Sequence, residues 1–298
     1  MIISFDVGGI FIKYGLFDMN GTIIDQDKQP SEIDTEEQFF SFIEKIITMY
    51  ERRYMIKGIG FSFPGVIDSE NGIPIVSGAI KPLKGRPFIQ LLTEKTGYKY
   101  PIFIENDGNC AALAEMHSGK GQMHNDFVVM TLGTGIGGGV INNRKLIKGA
   151  GFSAGEFGMM LIPDRNGKKE IIAKYASTQG LLNLYRKRLG ITSATPVTGE
   201  EIFKGNTPQK KDVLKLWGEY ISMLVYNIIV TMNPEKVLIG GGVSQNPQLI
   251  PLIEKPLKEY PEWNLFETPV ERCHHQNDAG LIGAFYLVYS QINQNDKI

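Results

Sequence analysis

Short apolar runs separated by glycine turns open the chain and predict three strands. The stretches IISFDVGG, FIKYGLFD and GTIIDQDK are joined by a Gly-Gly turn and an Asn-Gly turn, and Asn-Gly is a strong hairpin signal. In residues 35–53 the apolar side chains recur every three or four positions, which predicts an amphipathic helix. These positions are Phe39, Phe42, Ile46 and Tyr50. The chain therefore begins as a β-meander followed by a helix.

The first half of the chain continues with two more predicted strands, KGIGFSFPG and PIFIEND, and with helices predicted over residues 88–96 and in GNCAALAEMHSG. The second half then repeats this order of elements. The pattern restarts with the strand FVVMTLG, and GGVINNRKL, KVLIGGGVS and the terminal helix DAGLIGAFYLVYSQ follow. The polar residues 163–169 and 205–211 are predicted loops. Two stretches that each open with a strand ending in glycines suggest an internal duplication with its ligand bound between the halves.

Composition and charge describe an ordinary globular protein, large enough for two lobes. The 298 residues are 42% hydrophobic and 21% charged, and a formal net charge of -1 gives no electrostatic reason to bind nucleic acid. The two cysteines, Cys110 and Cys273, argue against a disulfide framework. The N-terminus lacks a signal-peptide pattern, and no stretch reaches the ~20 apolar residues of a membrane span. We therefore expect a cytoplasmic protein without a nucleic-acid or membrane partner.

Three glycine turns, in FDVGG, TLGTGIGGG and LIGGGVS, each follow an apolar strand. A single cluster of this kind is either a hairpin turn or a loop whose bare amides approach a phosphate. Three of them in one chain favour a phosphate site approached from three sides. A dinucleotide-binding loop fits poorly, because the glycines precede VINNRKLI, which is a predicted strand where that fold needs a helix. The chain also lacks a GxxxxGK[ST] phosphate loop.

Two carboxylates follow predicted strands and have both a structural and a chemical interpretation. Asp6 is either a turn-forming residue or a carboxylate that holds Mg²⁺ through water. Asp107, in IENDGN, either caps the following helix or acts as a base that takes a hydroxyl proton while the oxygen attacks a phosphorus.

The order of the motifs resembles the ROK family of bacterial sugar kinases and repressors. The motifs are FDVGGIFIK, FSFPGVID, IENDGNCAALAE, MTLGTGIGGGV, GEFG and VLIGGGVS, and they span essentially the whole chain. The resemblance implies an α/β protein of two ribonuclease-H-like (actin-like ATPase) lobes around a central cleft. It implies a smaller lobe over residues 1–120, a larger one over 121–285, and a final helix near 286–298 that packs back on the first.

The resemblance further implies ATP and Mg²⁺, transfer of the γ-phosphate to a sugar hydroxyl, and a homodimer. Asp107 would be the catalytic base, Gly65, Asn106 and Glu156 would bind the sugar, and Asp6 would hold Mg²⁺. The implied nucleotide-binding positions are Gly8, Gly9, Lys13, Thr131, Gly133, Thr134, Gly135, Gly137, Gly138, Gly240, Gly241 and Gly242.

The chain departs from the family pattern at the first phosphate motif and around the sugar pocket. Ile10 stands where the first phosphate motif usually has Thr, so the loop must rely on backbone amides. Met159 replaces the usual His after GEFG, either to line the pocket or to pack in the core, and no cysteine lies between 111 and 272. The tetrahedral zinc site of many members therefore cannot be built, and we predict no structural zinc. The family's second sugar-binding glutamate is absent: its place falls near Ala173, and Glu170 is the candidate substitute.

These losses favour a 6-hydroxyl kinase of β-glucosides such as cellobiose, with N-acetylmannosamine kinase and glucokinase as alternatives. A sugar-responsive repressor is disfavoured, because the first phosphate motif begins at residue 6 and leaves no room before it for a helix-turn-helix. An actin-like assembly ATPase would not need the IEND and AGEFG motifs in one pocket.

Overall fold

The computed structural model describes residues 1–78, 80–97, 99–163 and 167–295. It divides the chain into two compact units, each made of separate segments. Unit 1 comprises residues 1–122, 146–154 and 278–298, and unit 2 comprises residues 123–145 and 155–277. Residues 146–154 and 278–285, which the sequence-based boundaries assign to the C-terminal lobe, thus fall in unit 1.

The strands that lie wholly in unit 1, and its first three α-helices, precede residue 119. The strands are β1 (Ile2–Val7), β2 (Phe11–Phe17), β3 (Ile23–Pro30), β4 (Gly58–Phe63), β5 (Ile67–Asp68), β6 (Ile73–Pro74) and β7 (Ile102–Asn106). The helices are α1 (Glu36–Glu51), α2 (Phe88–Lys95) and α3 (Asp107–Ser118). Helix α1 begins with a capping box, in which Thr35 and Gln38 satisfy each other's backbone amides.

The remaining elements, in chain order, give unit 2 and then the last helix of unit 1. The strands are β8 (Phe127–Leu132), β9 (Ile136–Asn142), β10 (Lys145–Ile147), β11 (Leu161–Pro163), β12 (Lys169–Ile171), β13 (Lys236–Gly240) and β14 (Val270–Arg272). The helices are α4 (Ala173–Ala176), α5 (Thr178–Leu189), α6 (Gly199–Lys204), α7 (Pro208–Met232), α8 (Leu249–Leu257), α9 (Trp263–Phe266) and α10 (Ala279–Asn295).

The two main sheets have the same strand order. The sheet of unit 1 runs β3-β2-β1-β4-β7, with β1 antiparallel to β2 and parallel to β4. The other sheet runs β10-β9-β8-β13-β14, with β8 antiparallel to β9 and parallel to β13. A hairpin continued by parallel strands in this order is the ribonuclease-H-like arrangement, so the predicted fold class and internal duplication are confirmed.

Helices cover both faces of the sheet in unit 1. On one face, α1 and α2 contribute to an aromatic cluster in which Phe88 packs on Phe39 and Phe61 at centroid distances of 6.0 and 4.9 Å. On the other face, α10 lies so close that an ideal Cβ on Gly60 of β4 would fall 2.1 Å from the carbonyl oxygen of Ala284. One face of the first sheet, whose strands all precede residue 107, is therefore packed against the last helix.

Helix α7 forms much of the core of unit 2. Its Trp217, Ile221 and Ile228 are fully buried, and the Trp217 indole donates to the carbonyl oxygen of Ser177 at 2.9 Å. Among the residues that the structure describes, α7 is the one helix long and apolar enough to cross a membrane. Core helices of globular proteins meet the same two criteria, and more than half of its most apolar stretch is buried inside the protein.

Most predicted elements are present, and the exceptions lie in the second half. The loop predicted over residues 205–211 is wrong at its end, because α7 begins at Pro208 with Thr207 as its N-cap. The first position of a helix tolerates proline, because the backbone N–H that proline lacks would have no partner within the helix there. GGVINNRKL forms two strands rather than one, and β9 begins at Ile136 inside the glycine run. The segment 163–169 partly joins β11 and β12, and residues 164–166 lie outside the described residues.

Candidate active site

Asn106 and Asp107 lie at the junction where β7 ends and α3 begins. Asn106 is the N-cap of α3, since its Oδ1 accepts from the amide of Asn109 at 3.0 Å. The capping role considered for Asp107 therefore belongs to its neighbour. Asp107 is the first helical residue, its side chain is exposed, and its Oδ1 accepts from the amide of Gly108 at 2.9 Å. A carboxylate in this position is accessible to solvent.

Asn106 also joins α3 to the loop after β4. Its Nδ2 donates to the carbonyl oxygen of Gly65 at 2.7 Å, so two of the predicted sugar-binding residues are in direct contact. Gly65 has a φ of +98°, and an ideal Cβ there would lie 2.0 Å from the carbonyl oxygen of Val76. Only glycine fits this turn, because both the backbone conformation and the space exclude a side chain.

A buried carboxylate beneath this junction was not predicted from the sequence. Glu105 is 1% exposed, and its Oε1 accepts from the amide of Asn106 and from Nδ2 of Asn109, both at 2.9 Å. Lys148 Nζ lies 3.0 Å from the other oxygen, Oε2, and donates to Ser69 Oγ at 2.6 Å. The only sequence signal is a glutamate at the end of an apolar strand, and nothing local predicts its lysine partner 43 positions away.

Asp6 occupies the middle of a row of polar side chains across three strands. In the strand register it faces Lys13 on β2 and Ser62 on β4. Ser62 Oγ donates to its Oδ1 at 2.8 Å, and Lys13 Nζ lies 3.5 Å from its Oδ2. Burial raises the pKa of the Asp6 carboxyl, and the charge of Lys13 opposes that shift. Helix α10 leaves space for Asp6 through Gly280, where an ideal Cβ would lie 2.3 Å from Oδ1.

The first glycine turn is held by hydrogen bonds within unit 1. The amide of Gly8 donates to the carbonyl oxygen of Phe11 at 2.9 Å, and Ser31 Oγ donates to the carbonyl oxygen of Gly8 at 2.7 Å. Gly9 and Ile10 form the exposed tip, with Ile10 73% exposed. The side chain at the position that departs from the family pattern is therefore outside the core.

Thr131 in unit 2 corresponds to Asp6 in unit 1, and it lies between two glycines. In the strand register it faces Gly137 on β9 and Gly240 on β13. The turn after β13 folds directly onto the end of β8, because Gly241 has a φ of +86° and its ideal Cβ would lie 2.1 Å from the carbonyl oxygen of Leu132. The second and third predicted glycine motifs are thus neighbours in unit 2.

The tip of the glycine hairpin, Gly133–Gly135, is open rather than packed. An ideal Cβ on Gly135 would meet no atom within 4 Å, one on Gly133 would approach no closer than 4.0 Å, and neither has a positive φ. Thr134 between them is exposed, as is Gly242 of the neighbouring turn. The carbonyl oxygen of Gly133 is fixed by Thr178 at the start of α5, whose hydroxyl donates at 2.5 Å. Protein packing does not account for glycine here, whereas the approach of a ligand would.

Gly138 has a different role, since it lies inside β9 and supports Glu156. An ideal Cβ on Gly138 would fall 2.4 Å from the carbonyl oxygen of Val129 and 2.6 Å from the ring of Phe157. An ideal Cβ on Gly155 would in turn fall 2.4 Å from the carbonyl oxygen of Gly138. The turn that carries Glu156 therefore rests directly on the glycine strand.

Glu156 is half-buried, and desolvation raises the pKa of its carboxyl. The side chain of Met159 that follows is 60% exposed, so it does not pack in the core. Ala173, at the position of the missing second glutamate, lies beside the same turn, 3.2 Å from an ideal Cβ on Gly158. Glu170 instead forms ion pairs with Lys168 and Lys174, which lower its pKa and occupy both its oxygens.

Within the described part of the chain, His, Cys, Asp and Glu side chains form no group of three that could hold a metal ion. Mg²⁺ usually keeps several waters and needs one or two carboxylates together with substrate phosphates. A single buried carboxylate such as Asp6 fits that requirement.

The repeated ribonuclease-H-like sheet, with glycine turns after its strands, places the chain in the class of actin-like ATPase folds. The ROK family model matches residues 2–291, and the chain belongs to the ROK family. A β-glucoside kinase of Listeria monocytogenes is 33% identical over 302 residues, covering 99% of each chain.

Two solved structures extend the comparison. The Lmo2764 protein of Listeria monocytogenes, a candidate N-acetylmannosamine kinase, is 31% identical with a TM-score of 0.85 and covers 98% of this chain and 99% of its own. A ROK family glucokinase of Streptomyces griseus, solved with glucose and AMPPNP, is 25% identical with a TM-score of 0.81, covering 96% and 98%.

Proposed function

We propose that the protein is an ATP-dependent carbohydrate kinase that transfers the γ-phosphoryl group to the 6-hydroxyl of a sugar, with β-glucosides as the preferred acceptors. One observation carries this proposal above the others. The exposed carboxylate of Asp107 begins α3 directly beside Asn106, whose side chain is already fixed to the helix and to Gly65. Family membership and the named kinases among its relatives support the same activity.

In the proposed reaction, Asp107 accepts the proton of the sugar hydroxyl. The hydroxyl oxygen then forms a bond to the γ-phosphorus while the bond from that phosphorus to the ADP oxygen breaks. Positioning and electrostatics dominate catalysis of phosphoryl transfer, so the base must be held in place rather than be unusually strong. The hydrogen bonds of Asn106 on both sides of the junction provide that rigidity.

The glycine turns of unit 2 would bind the phosphates of ATP through backbone amides. The open tip formed by Gly133 and Gly135 admits a ligand without displacing a side chain. Thr131, which lies between Gly137 and Gly240 in the strand register, would contribute its hydroxyl. Mg²⁺, held through water by Asp6, would neutralise charge on the phosphates. In unit 1, Gly8, Gly9 and Lys13 would contribute the first phosphate turn.

Glu156, Asn106 and Gly65 would bind the sugar hydroxyls. The preference for β-glucosides is supported by the small Ala173 and the exposed Met159 next to Glu156, because a flexible thioether can line space for an aglycone. The β-glucoside kinase among the relatives also favours this substrate. N-acetylmannosamine and glucose are the alternative acceptors, and the two solved relatives are described with those activities.

An ADP-release assay with MgATP tests both the activity and the acceptor. We would compare glucose, cellobiose, gentiobiose and N-acetylmannosamine, with Asp107→Asn as the control variant. We expect the highest kcat/KM with the two disaccharides, and a loss of about 10²–10⁴-fold in kcat for Asp107→Asn with sugar binding retained. Preference for N-acetylmannosamine would replace the proposed acceptor, and normal turnover by the variant would exclude Asp107 as the base.

We further propose that the enzyme acts in the cytoplasm as a homodimer without structural zinc and without a nucleic-acid partner. The formal net charge of -1 supports the absence of a nucleic-acid partner. The resemblance to the family supports the dimer. Light scattering after size-exclusion chromatography would measure the mass of the particle in solution. A monomer at micromolar concentration would contradict the proposed homodimer.

A further inference from the structure

The buried ion pair of Glu105 and Lys148 connects the base-bearing helix to the loop region that follows Gly65. The carboxylate of Glu105 holds the first turn of α3 through the amide of Asn106 and the side chain of Asn109, both at 2.9 Å. Lys148 contacts that carboxylate at 3.0 Å and Ser69 Oγ at 2.6 Å. Ser69 directly follows β5 in the region that begins at Gly65.

The two oxygens of Glu105 thus have separate tasks. Oε1 accepts the two hydrogen bonds that shape the start of the helix, and Oε2 faces the ammonium group of Lys148. A carboxylate that is 1% exposed depends on its partners for both charge and orientation. Lys148, whose side chain is 33% exposed, keeps some contact with solvent.

Lys148 lies in residues 146–154, a short segment of unit 1 whose flanking residues belong to unit 2. The segment of residues 146–154 contributes no regular element of its own beyond the end of β10. Its ion pair with Glu105 and its hydrogen bond to Ser69 join it to the part of unit 1 that surrounds Asp107.

We infer that Lys148 and Glu105 are positioning residues of the kinase, which hold Asn106 and Asp107 in the geometry needed for proton transfer. The inference rests on the proposed function and adds two residues to it that do not touch the substrate. Rigid support of a reacting group matters because a displacement of about 1 Å can reduce a rate about 10²-fold.

The test uses Lys148→Met and Lys148→Arg in the full chain, with Lys236→Met as a matched control. Lys236 also forms a partly buried ion pair, with Glu271 at 2.7 Å, but it lies in unit 2 at the start of β13. Hydrogen exchange would be measured at the amides of Asn106 and Asn109, together with kcat, KM and the melting temperature.

For Lys148→Met we expect exchange at these two amides to be at least about tenfold faster and kcat to fall about 10–100-fold, with KM for ATP unchanged. Lys148→Arg should keep hydrogen exchange and kcat close to those of the wild type, and Lys236→Met should change neither quantity. Unchanged exchange and kcat in Lys148→Met would overturn the inference. A lower melting temperature with unchanged kcat would also overturn it, since it would show a purely structural pair.

Two further measurements separate the possible failures. If Lys148→Met does not fold, the double variant with Glu105→Gln removes the unpaired buried charge and should fold. We expect it to show faster exchange at both amides and a kcat reduced about tenfold or more, and wild-type exchange and kcat in this variant would overturn the inference. The wild-type protein could also be inactive on every sugar while Lys148→Met still speeds hydrogen exchange at Asn106 and Asn109. That result would refute the proposed function, but it would leave the support of α3 by the ion pair intact.

Discussion

Adjacent residues at the end of β7 have opposite environments, and their environments determine their roles. Asn106 is buried and makes hydrogen bonds on both sides, whereas the Asp107 side chain is exposed. The sequence predicts both as site residues, but it does not reveal which one caps the helix. That distinction depends on where the chain turns between strand and helix, which tertiary contacts determine.

Glu156 should give the sugar affinity a dependence on pH. Burial raises the pKa of its carboxyl above the ordinary 4.5, so the proton is taken up at a higher pH than by a free glutamate. The ionised carboxylate is the better acceptor for sugar hydroxyls. We therefore expect KM for the sugar to rise as the pH falls through this raised pKa, measured by sugar titrations at constant MgATP.

Glu156→Gln is the control for this dependence. Gln cannot ionise. The KM of the variant for the sugar should therefore be about 10–100-fold higher than that of the wild type at neutral pH, and it should not rise further as the pH falls. The folded wild type binds the proton of Glu156 more tightly than the unfolded chain does. Its free energy of unfolding should therefore fall, relative to the Gln variant, as the pH rises from 4.5 through the raised pKa. A KM that rises equally in both proteins would exclude Glu156 as the group responsible.

At the level of elements, one glycine run serves two purposes that the sequence does not separate. The glycines near the tip of the β8–β9 hairpin face open space, whereas Gly138 inside β9 lets the backbone of Val129 and the ring of Phe157 approach. The run as a whole is recognisable in the sequence as a turn or phosphate loop. Assigning each glycine required the positions of Val129 and Phe157, which lie elsewhere in the chain.

Gly135→Ala and Gly138→Ala are a matched pair that tests this division. A methyl group on Gly135 meets nothing, so we expect a change within about 0.5 kcal/mol in the free energy of unfolding but a higher KM for ATP. On Gly138 it meets a backbone oxygen 2.4 Å away, and we expect a loss of about 1–3 kcal/mol. Urea denaturation and ATP titrations measure both quantities. Equal destabilisation by the two substitutions would contradict the division.

Elements with a clear apolar period were predicted well, and those without one were missed. The strands of the first sheet and the amphipathic α1 follow directly from alternation and three-to-four spacing. The long helix α7 was missed because its two faces differ little in polarity. Its buried positions recur every three or four residues but include Gly218 and Ser222, and its exposed face carries the apolar Met223 and Val230. These exceptions blur the polar stripe from which amphipathic helices are recognised.

Across the whole molecule, unit 1 depends on its last helix. Phe285 of α10 is fully buried and stacks on Phe17 of β2 at a centroid distance of 4.9 Å. Replacing it with Ala removes a large core side chain, and we expect a loss of about 3–5 kcal/mol in the free energy of unfolding. Far-UV circular dichroism during urea titration measures this loss.

The chain contains an internal control for that measurement. Both tryptophans, Trp217 and Trp263, belong to unit 2, so tryptophan fluorescence reports on that unit alone. Phe285→Ala should shift the circular dichroism transition more than the fluorescence transition. A larger shift in fluorescence would place the main effect of Phe285 outside unit 1.

The position of α10 also affects synthesis on the ribosome. Ile2 and Phe17 pack against Leu281, Phe285 and Val288, yet the whole of residues 123–277 is translated between the two groups. At about 5–20 residues per second, those intervening residues take roughly 8 to 30 s to make. During that interval α10 cannot cover its part of the nascent first sheet, and transiently exposed apolar surface of this kind favours aggregation until the final helix emerges.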